Sequence, residues 1–332
     1  SSKCDPAHAR HLFDLTAQRL LSLRYRMAVA VLVGVVLIAV ASLGVMRWAN
    51  GRATAVSDVS ALQTARINAG LLASELQKFR LLPLVLIEYP DVRSVLERES
   101  PDDIAFLNGK LELLANRTDA AVIYVLRPDG RTIAASNWRR KDSFVGHDWR
   151  FRSYFSEALR TGSAELFALG MVSSRPGLYI ARRIDHDGQP LGVIVVKVEF
   201  DRLETAWARQ VGPTFVTDRD GVVIITSRPE WRFRAVKQLT PEKLSSANKS
   251  LQFGRLPIHP IDLSFEGATV REQASRGEVS YRAASLPVPL AGGKLNFLQP
   301  LAPAAASATA SARLAILAGG ILVAGVLGIM FR

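Results

Sequence analysis

Two uncharged blocks near the ends constrain this chain more than any other feature. Met27–Met46 runs for 20 residues without a charge or a proline, and Leu314–Phe331 runs for 18 without a charge. At ~1.5 Å per helical residue, the first spans about 30 Å, the thickness of a bilayer core. Both blocks are expected to be transmembrane helices, the alternative being buried core helices. A cleaved signal peptide fits the first block poorly, because the apolar stretch is too long and residues 1–26 precede it. That leading segment holds five basic residues against two acidic ones, and only Arg47 and Arg52 follow the block closely. The bias places 1–26 inside and, with two spans, 47–313 outside.

The length of 332 residues allows about two domains. At 48% hydrophobic and 22% charged residues, the 332-residue chain is not a disordered polyelectrolyte. The net charge of +12 suggests nucleic acid at first sight. A periplasmic segment meets none, and its balance of 36 basic against 28 acidic residues is either a solvated surface or an attraction for anions. A single cysteine, Cys4, excludes an intrachain disulfide and a cysteine zinc site.

Residues 47–80 lack proline, and Ala55, Val59, Leu62, Arg66, Ala69, Ala73, Leu76 and Arg80 recur in steps of four and three. That is a helical stripe, packed on its own domain or against a second copy. Pro83 and Pro90 are expected to break the helix. A second helix is expected over Pro101–Asn116, with Ser100 as cap and Asp102 and Asp103 in its first turn. The pattern then becomes β. Ala120–Leu126, the turn Arg127-Pro-Asp-Gly130 and Thr132–Ser136 form a hairpin signal. The same design recurs at Pro213–Thr217, Asp218-Arg-Asp-Gly221 and Val222–Ser227, with Asp129 and Asp220, and Ser136 and Ser227, each 91 residues apart. This reads as a tandem repeat of one α+β domain type. Its expected organisation is a tail over 1–26, spans over 27–46 and 314–331, a long helix over 47–80, a distal domain over 81–205, a membrane-proximal domain over 206–301 and an Ala/Ser-rich helical connector over 302–313.

Enzyme signatures are missing. There is no nucleophile elbow, no H-E-x-x-H, no P-loop and no G-x-G-x-x-G, and the five histidines make no metal-ligand spacing. Asp185-His-Asp-Gly188 begins like a calcium loop but lacks the distal Glu of an EF-hand and suits a plain turn. The outer segment therefore reads as a binding module with no catalytic residues, no metal and no cofactor.

One stretch carries binding chemistry. His147-Asp-Trp-Arg-Phe-Arg-Ser-Tyr-Phe155 joins four aromatics to two arginines at a short helix start. A Gly/Ser loop, Leu169 to Tyr179, follows, and Val193–Val198 sets Lys197 inside an apolar strand. Alternation puts Val193, Val195 and Lys197 on one face. An interior lysine needs an anion, from an internal ion pair or from a ligand carboxylate. Arg152 is either a surface arginine or a bidentate carboxylate fork, and it suits that role better than Arg150. Ser173 and Ser174 are donors or plain loop residues. Two cations at one pocket imply two carboxylates. At about 1.5–3 kcal/mol per charge-assisted bond, such a site could reach micromolar affinity, about −8 kcal/mol.

These residues resemble the sensor region of the bacterial C4-dicarboxylate sensor histidine kinases of the DctB type. The resemblance covers nearly all of the chain and is carried by Gln77-Lys-Phe-Arg-Leu-Leu-Pro83, Ile133-Ala-Ala-Ser-Asn-Trp138, Ser143-Phe-Val-Gly146, Phe151-Arg-Ser-Tyr-Phe155, Phe167-Ala-Leu-Gly170 and Val195-Val-Lys197. It implies a double Cache fold, two PAS-like domains on a long helix between two membrane helices, in a bacterial inner membrane. By residue matching it implies that Arg152 and Lys197 take the carboxylates of succinate, fumarate or malate. Trp149, Tyr154, Gly170, Ser173, Ser174 and Tyr179 would line the pocket. Closure of the Gly170–Gly177 loop would follow binding, and the membrane-proximal domain would be empty or structural. The resemblance further implies a homodimer and a cognate response regulator. ATP and Mg belong only to a kinase transmitter that this chain does not contain. The alternative reading is a chemoreceptor input domain of the same fold that binds amino acids.

Overall fold

The computed structural model describes residues 6–249, 251–254, 257–274, 277–290, 292–301, 317, 320 and 321. Two compact units are present, one made of Ser1–Ser57 with Leu301–Arg332, the other of Asp58–Pro300. In the first, residues 6–57 belong to helix α1, Pro6–Leu86, whose described side chains Leu32, Leu37, Val40 and Leu43 are exposed. Among the described residues no helix is long and apolar enough to cross a membrane. Several side chains of Met27–Met46, the connector 302–313 and most of Leu314–Phe331 lie outside the described residues, as do residues 1–5.

In the second unit, α1 continues through Pro83 to Leu86. The expected break at Pro83 does not occur. A proline inside a helix forfeits one hydrogen bond and crowds the preceding turn; here Pro83 and Leu86 are both buried, and their packing offsets that loss. Ile87 still closes the last turn by donating to the Pro83 carbonyl at 3.1 Å. The buried face is Ala61, Ala65, Asn68, Leu72, Leu76, Phe79 and Leu86. It shares Leu76 with the expected stripe but lies about one residue round the helix from it. The sequence held two adjacent stripes of equal period, and only packing against the sheets selected one.

Pro90 starts α2, Pro90–Arg98, and Pro101 starts α3, Pro101–Thr118. Proline suits a first helical position, where its missing N–H has no partner to lose. Ser100 stands at the N-cap of α3, as expected, but makes no side-chain cap bond.

Eleven strands follow among the described residues. The first sheet uses β1 (Val122–Leu126), β2 (Thr132–Ala135), β3 (Ser163–Leu169), β4 (Pro176–His186) and β5 (Gln189–Val198), in the order β2-β1-β5-β4-β3. The second uses β6 (Thr214–Thr217), β7 (Val223–Thr226), β8 (Leu263–Glu266), β9 (Thr269–Ala274), β10 (Gly277–Pro287) and β11 (Lys294–Pro300), in the order β7-β6-β11-β10-β9-β8. All pairs are antiparallel. Helix α4 (Ser153–Thr161) precedes β3, α5 (Asp201–Ala208) links the sheets, and α6 (Pro241–Lys249) follows β7.

The 91-residue offset extends to individual hydrogen bonds. Ser136 Oγ accepts from Ile123 N at 2.9 Å, and Ser227 Oγ accepts from Thr214 N at 3.0 Å. Both hairpins shift register at equivalent places, Val125/Leu126 and Val216/Thr217. Gly130 and Gly221 hold φ of 80° and 85°, a left-handed turn conformation that favours glycine.

Alternation sorts the first sheet as expected. Ile123, Val125, Ile194 and Val196 face α2 and α3, packing on Leu107, Leu111, Val92 and Val95. Tyr124, Tyr179, Val193 and Val195 face the opposite way, onto Phe144, Trp149, Tyr154 and Phe155. Lys197 shares the phase of this second, aromatic face.

Candidate functional site

Arg152 occupies the N-cap of α4, with extended backbone, and its side chain is fully buried. Its guanidinium donates to the Leu169 carbonyl at 2.7 Å and the Leu251 carbonyl at 3.1 Å. Its Nε is buried without a hydrogen-bond partner. A guanidinium fork directed at two neutral carbonyls meets no counter-charge in them, and a buried donor without an acceptor costs about 1–3 kcal/mol.

Lys197 sits near the end of β5, paired with Tyr179 on β4 and Val122 on β1. It too is fully buried. Its ammonium donates to Ser173 Oγ at 2.8 Å and meets Glu199 Oε1 at 2.5 Å. Burial pulls the ammonium below the ordinary lysine range, and the Glu199 hydrogen bond and charge push it part of the way back. Gly177 lets the lysine stem pass, since a Cβ there would lie 3.1 Å from Lys197 Cε and 2.6 Å from the Val198 carbonyl.

The two cations share their surroundings. Gly170 follows Leu169, the carbonyl that Arg152 holds. A Cβ on Gly170 would overlap Ser173 Oγ, the atom that Lys197 holds, and would lie 3.1 Å from the Tyr179 hydroxyl. The Tyr179 ring stacks on Tyr154, with centroids 5.2 Å apart and planes at 2°. Tyr154 and Tyr124 share a 2.7 Å hydroxyl bond. Burial pushes all three phenols up, while the positive charge of Arg152 pulls in the other direction, so all three remain protonated near neutral pH. The Tyr179 hydroxyl is buried with no hydrogen-bond partner. Two cations and two unsatisfied donors, Arg152 Nε and Tyr179 OH, make a cluster suited to the oxygens of an anion.

Of the residues expected to line this place, Arg152, Lys197, Tyr154, Gly170, Ser173 and Tyr179 are brought together. Trp149 stands one layer behind. It is buried, donates to Thr132 Oγ1 at 2.9 Å and packs against Tyr124 at 6.3 Å between centroids. Ser174 is exposed and contributes its backbone N–H, which donates to the Gly170 carbonyl at 2.9 Å. Its φ of 54° places it at the turn of the loop.

Glu199 was not among the expected residues. Period-two spacing from Lys197 was the signal that could have found it. Its other carboxylate oxygen lies 2.6 Å from Arg175 Nε, and Arg175 also pairs with Asp201. Among the described residues no cluster of His, Cys, Asp or Glu could hold a metal ion.

Among the described residues, the second sheet lacks the two-cation arrangement. Leu298, beside Pro213, stands where Lys197 stands beside Val122, and Ala283 pairs with it where Tyr179 pairs with Lys197. Arg228 is held by Glu272, whose second oxygen accepts from the Tyr281 hydroxyl at 2.7 Å. This cation is neutralised within the fold.

No family model matches the chain. It is 42% identical over 252 residues to the C4-dicarboxylate transport sensor protein DctB of Rhizobium meliloti, an alignment spanning 74% of this chain and 41% of that protein. The chain thus spans less than half the length of this relative. Its fold is similar to the sensor domain of the Vibrio cholerae histidine kinase DctB, with a TM-score of 0.65 and 26% identity over 72% of this chain and 95% of that domain. The sensory domain of the Campylobacter jejuni chemoreceptor Tlp3 shares the fold alone, with a TM-score of 0.52 and 13% identity over 78% of this chain and 99% of that domain.

Proposed function

The chain belongs, over its aligned sensor region, to the DctB type of C4-dicarboxylate sensor, and from that premise we propose that it is the ligand-binding input of a two-component sensor histidine kinase. The ligand is a C4-dicarboxylate such as succinate, fumarate or malate. The observation that carries this reading is the pair of fully buried cations, Arg152 and Lys197, gathered around Tyr179 and Gly170. One carboxylate meets the Lys197 ammonium and Ser173, and the other meets Arg152 Nε and the Tyr179 hydroxyl. Each end exchanges an unsatisfied or internally paired group for a charge-assisted bond. Burial strengthens both contacts because little water screens them.

In the whole protein the reading extends to two membrane spans at 27–46 and 314–331, with the sensor periplasmic in a bacterial inner membrane. It extends further to a homodimer, to a kinase transmitter using ATP and Mg, and to a cognate response regulator. The domain limits 81–205 and 206–301 belong to the same proposal. The proximal domain is structural, a role supported by Leu298 in the Lys197 position.

One observation favours the amino-acid alternative. An α-ammonium requires a carboxylate in the pocket, and Glu199 supplies one beside Lys197. Thermal unfolding of the 332-residue chain with a panel of dicarboxylates and amino acids separates the two readings. Ligand at 100 times Kd adds about 2.7 kcal/mol to stability. Stabilisation by dicarboxylates, lost in Lys197→Ala, is the expected result. Stabilisation by amino acids alone moves the assignment to the chemoreceptor-like reading.

A further inference from the structure

We propose that Glu199 is the residue that sets how strongly, and how selectively, the Lys197 end of the site takes a carboxylate, by acting as an internal anion that the ligand displaces. The inference rests on the dicarboxylate reading of this site. Lys197 has no exposed side-chain surface, and its charge is met from within the chain by Glu199 at 2.5 Å. Glu199 is not committed to that partner alone. Its second oxygen is 2.6 Å from Arg175, which is half exposed and also pairs with Asp201. When Glu199 leaves Lys197 it therefore keeps an ion pair at the loop, and its carboxylate, 17% exposed, is already in reach of water.

A ligand carboxylate at Lys197 then replaces like with like. The net gain is the difference between two similar ion pairs, less the repulsion between the incoming carboxylate and Glu199. With Glu199 present, the Lys197 end of the site carries a negative charge in direct contact with its ammonium. A dianion meets that charge as repulsion, whereas a ligand with an ammonium at this end meets it as attraction. A repulsive element of this kind discriminates between ligands as effectively as an added contact. Arg175 holds Glu199 from the other side and favours its release from Lys197.

The test is titration calorimetry on the full chain with succinate and with L-aspartate, which is succinate bearing an α-ammonium. Glu199→Gln is expected to bind succinate at least tenfold tighter and to raise the succinate-to-aspartate affinity ratio. Its ligand-free melting temperature falls, because Lys197 loses its counter-charge. Arg175→Gln is expected to act in the opposite direction and weaken succinate binding, since Glu199 then has only Lys197. Unchanged or weaker succinate binding by Glu199→Gln, in a protein whose wild type binds succinate, overturns the inference alone. Unchanged or tighter binding by Arg175→Gln also overturns it, and that variant decides the matter if Glu199→Gln does not fold. A wild-type chain that takes up no succinate overturns the dicarboxylate reading first and this inference with it.

Discussion

The Leu251 carbonyl, in the segment following α6, accepts a 3.1 Å hydrogen bond from Nη1 of Arg152, at the head of α4. The contact is reinforced on both sides: Leu169 N donates to the Gln252 carbonyl at 2.8 Å, and Gln252 Nε2 donates to the Phe167 carbonyl at 2.9 Å. One guanidinium thus belongs at once to the candidate site and to the seam between the two sheets' segments. Arg152→Met leaves the Leu169 and Leu251 carbonyls without this donor. It is expected to cost ~2 kcal/mol, or several degrees of melting temperature. Hydrogen exchange should rise at residues 251–254, and succinate stabilisation should vanish.

Lys197→Met is expected to separate folding from binding. Removing one partner of a buried pair is costly when it strands the other charge. Here Glu199 retains Arg175. Ligand-free stability should therefore stay within ~1 kcal/mol of wild type, while succinate no longer raises the melting temperature.

The same lysine gives a pH signature. Its folded-state pKa is lowered, chiefly by burial. Between that value and lysine's ordinary ~10.4, the unfolded chain binds more protons than the folded one. Stability contributed by this group therefore rises with pH across that window. On the proposed dicarboxylate reading, succinate binding needs the ammonium and is expected to fall across it. Lys197→Met should abolish the stability rise in denaturant melts taken at alkaline pH, and a rise of equal size in the mutant would refute this assignment.

Tyr179→Phe removes a buried hydroxyl that has no partner in the fold and keeps the stack on Tyr154. Ligand-free stability is expected to hold or rise by about 1 kcal/mol, and succinate affinity to fall roughly tenfold. Differential scanning calorimetry and titration on the same sample check both halves.

Gly170→Ala tests the fit of the loop. The added methyl overlaps Ser173 Oγ and lies 2.9 Å from the Arg175 carbonyl, the acceptor of the Gly170 N–H. The loop must open to admit it, at a cost of ~1–3 kcal/mol. A folded protein with succinate affinity reduced at least tenfold is the expected outcome, read by circular dichroism and calorimetry together.

Several parts of this molecule were legible before folding. The hairpins at Asp129 and Asp220, the 91-residue repeat and the facing of Val193, Val195 and Lys197 followed from turn chemistry and period-two alternation. Both are local and are read from neighbours along the chain. Lys197 stood out because an interior lysine among valines needs an anion, and Arg152 because its fork at a helix start suits a carboxylate. The less legible parts depended on distant neighbours. Which stripe of α1 is covered was decided by tertiary packing, and Pro83, buried inside the helix, was not legible as a helical residue. Ser174 faces outward because the loop turns through a positive φ at that residue.

The sequence by itself determined that two like hairpin-led antiparallel sheets with helices follow a long helix, and that Lys197 lies in an apolar strand and Arg152 at a helix start. Alternation and charge are properties of the chain. Only the tertiary structure decided what those cations touch. Arg152 holds Leu251, 99 positions away in the chain, and Lys197 shares its charge with Glu199, which Arg175 draws from the loop side. Hydrogen bonds and ion pairs act over a few ångströms in space. Only the fold, which brings β3, β5 and the segment after α6 to one place, sets which groups come within that range.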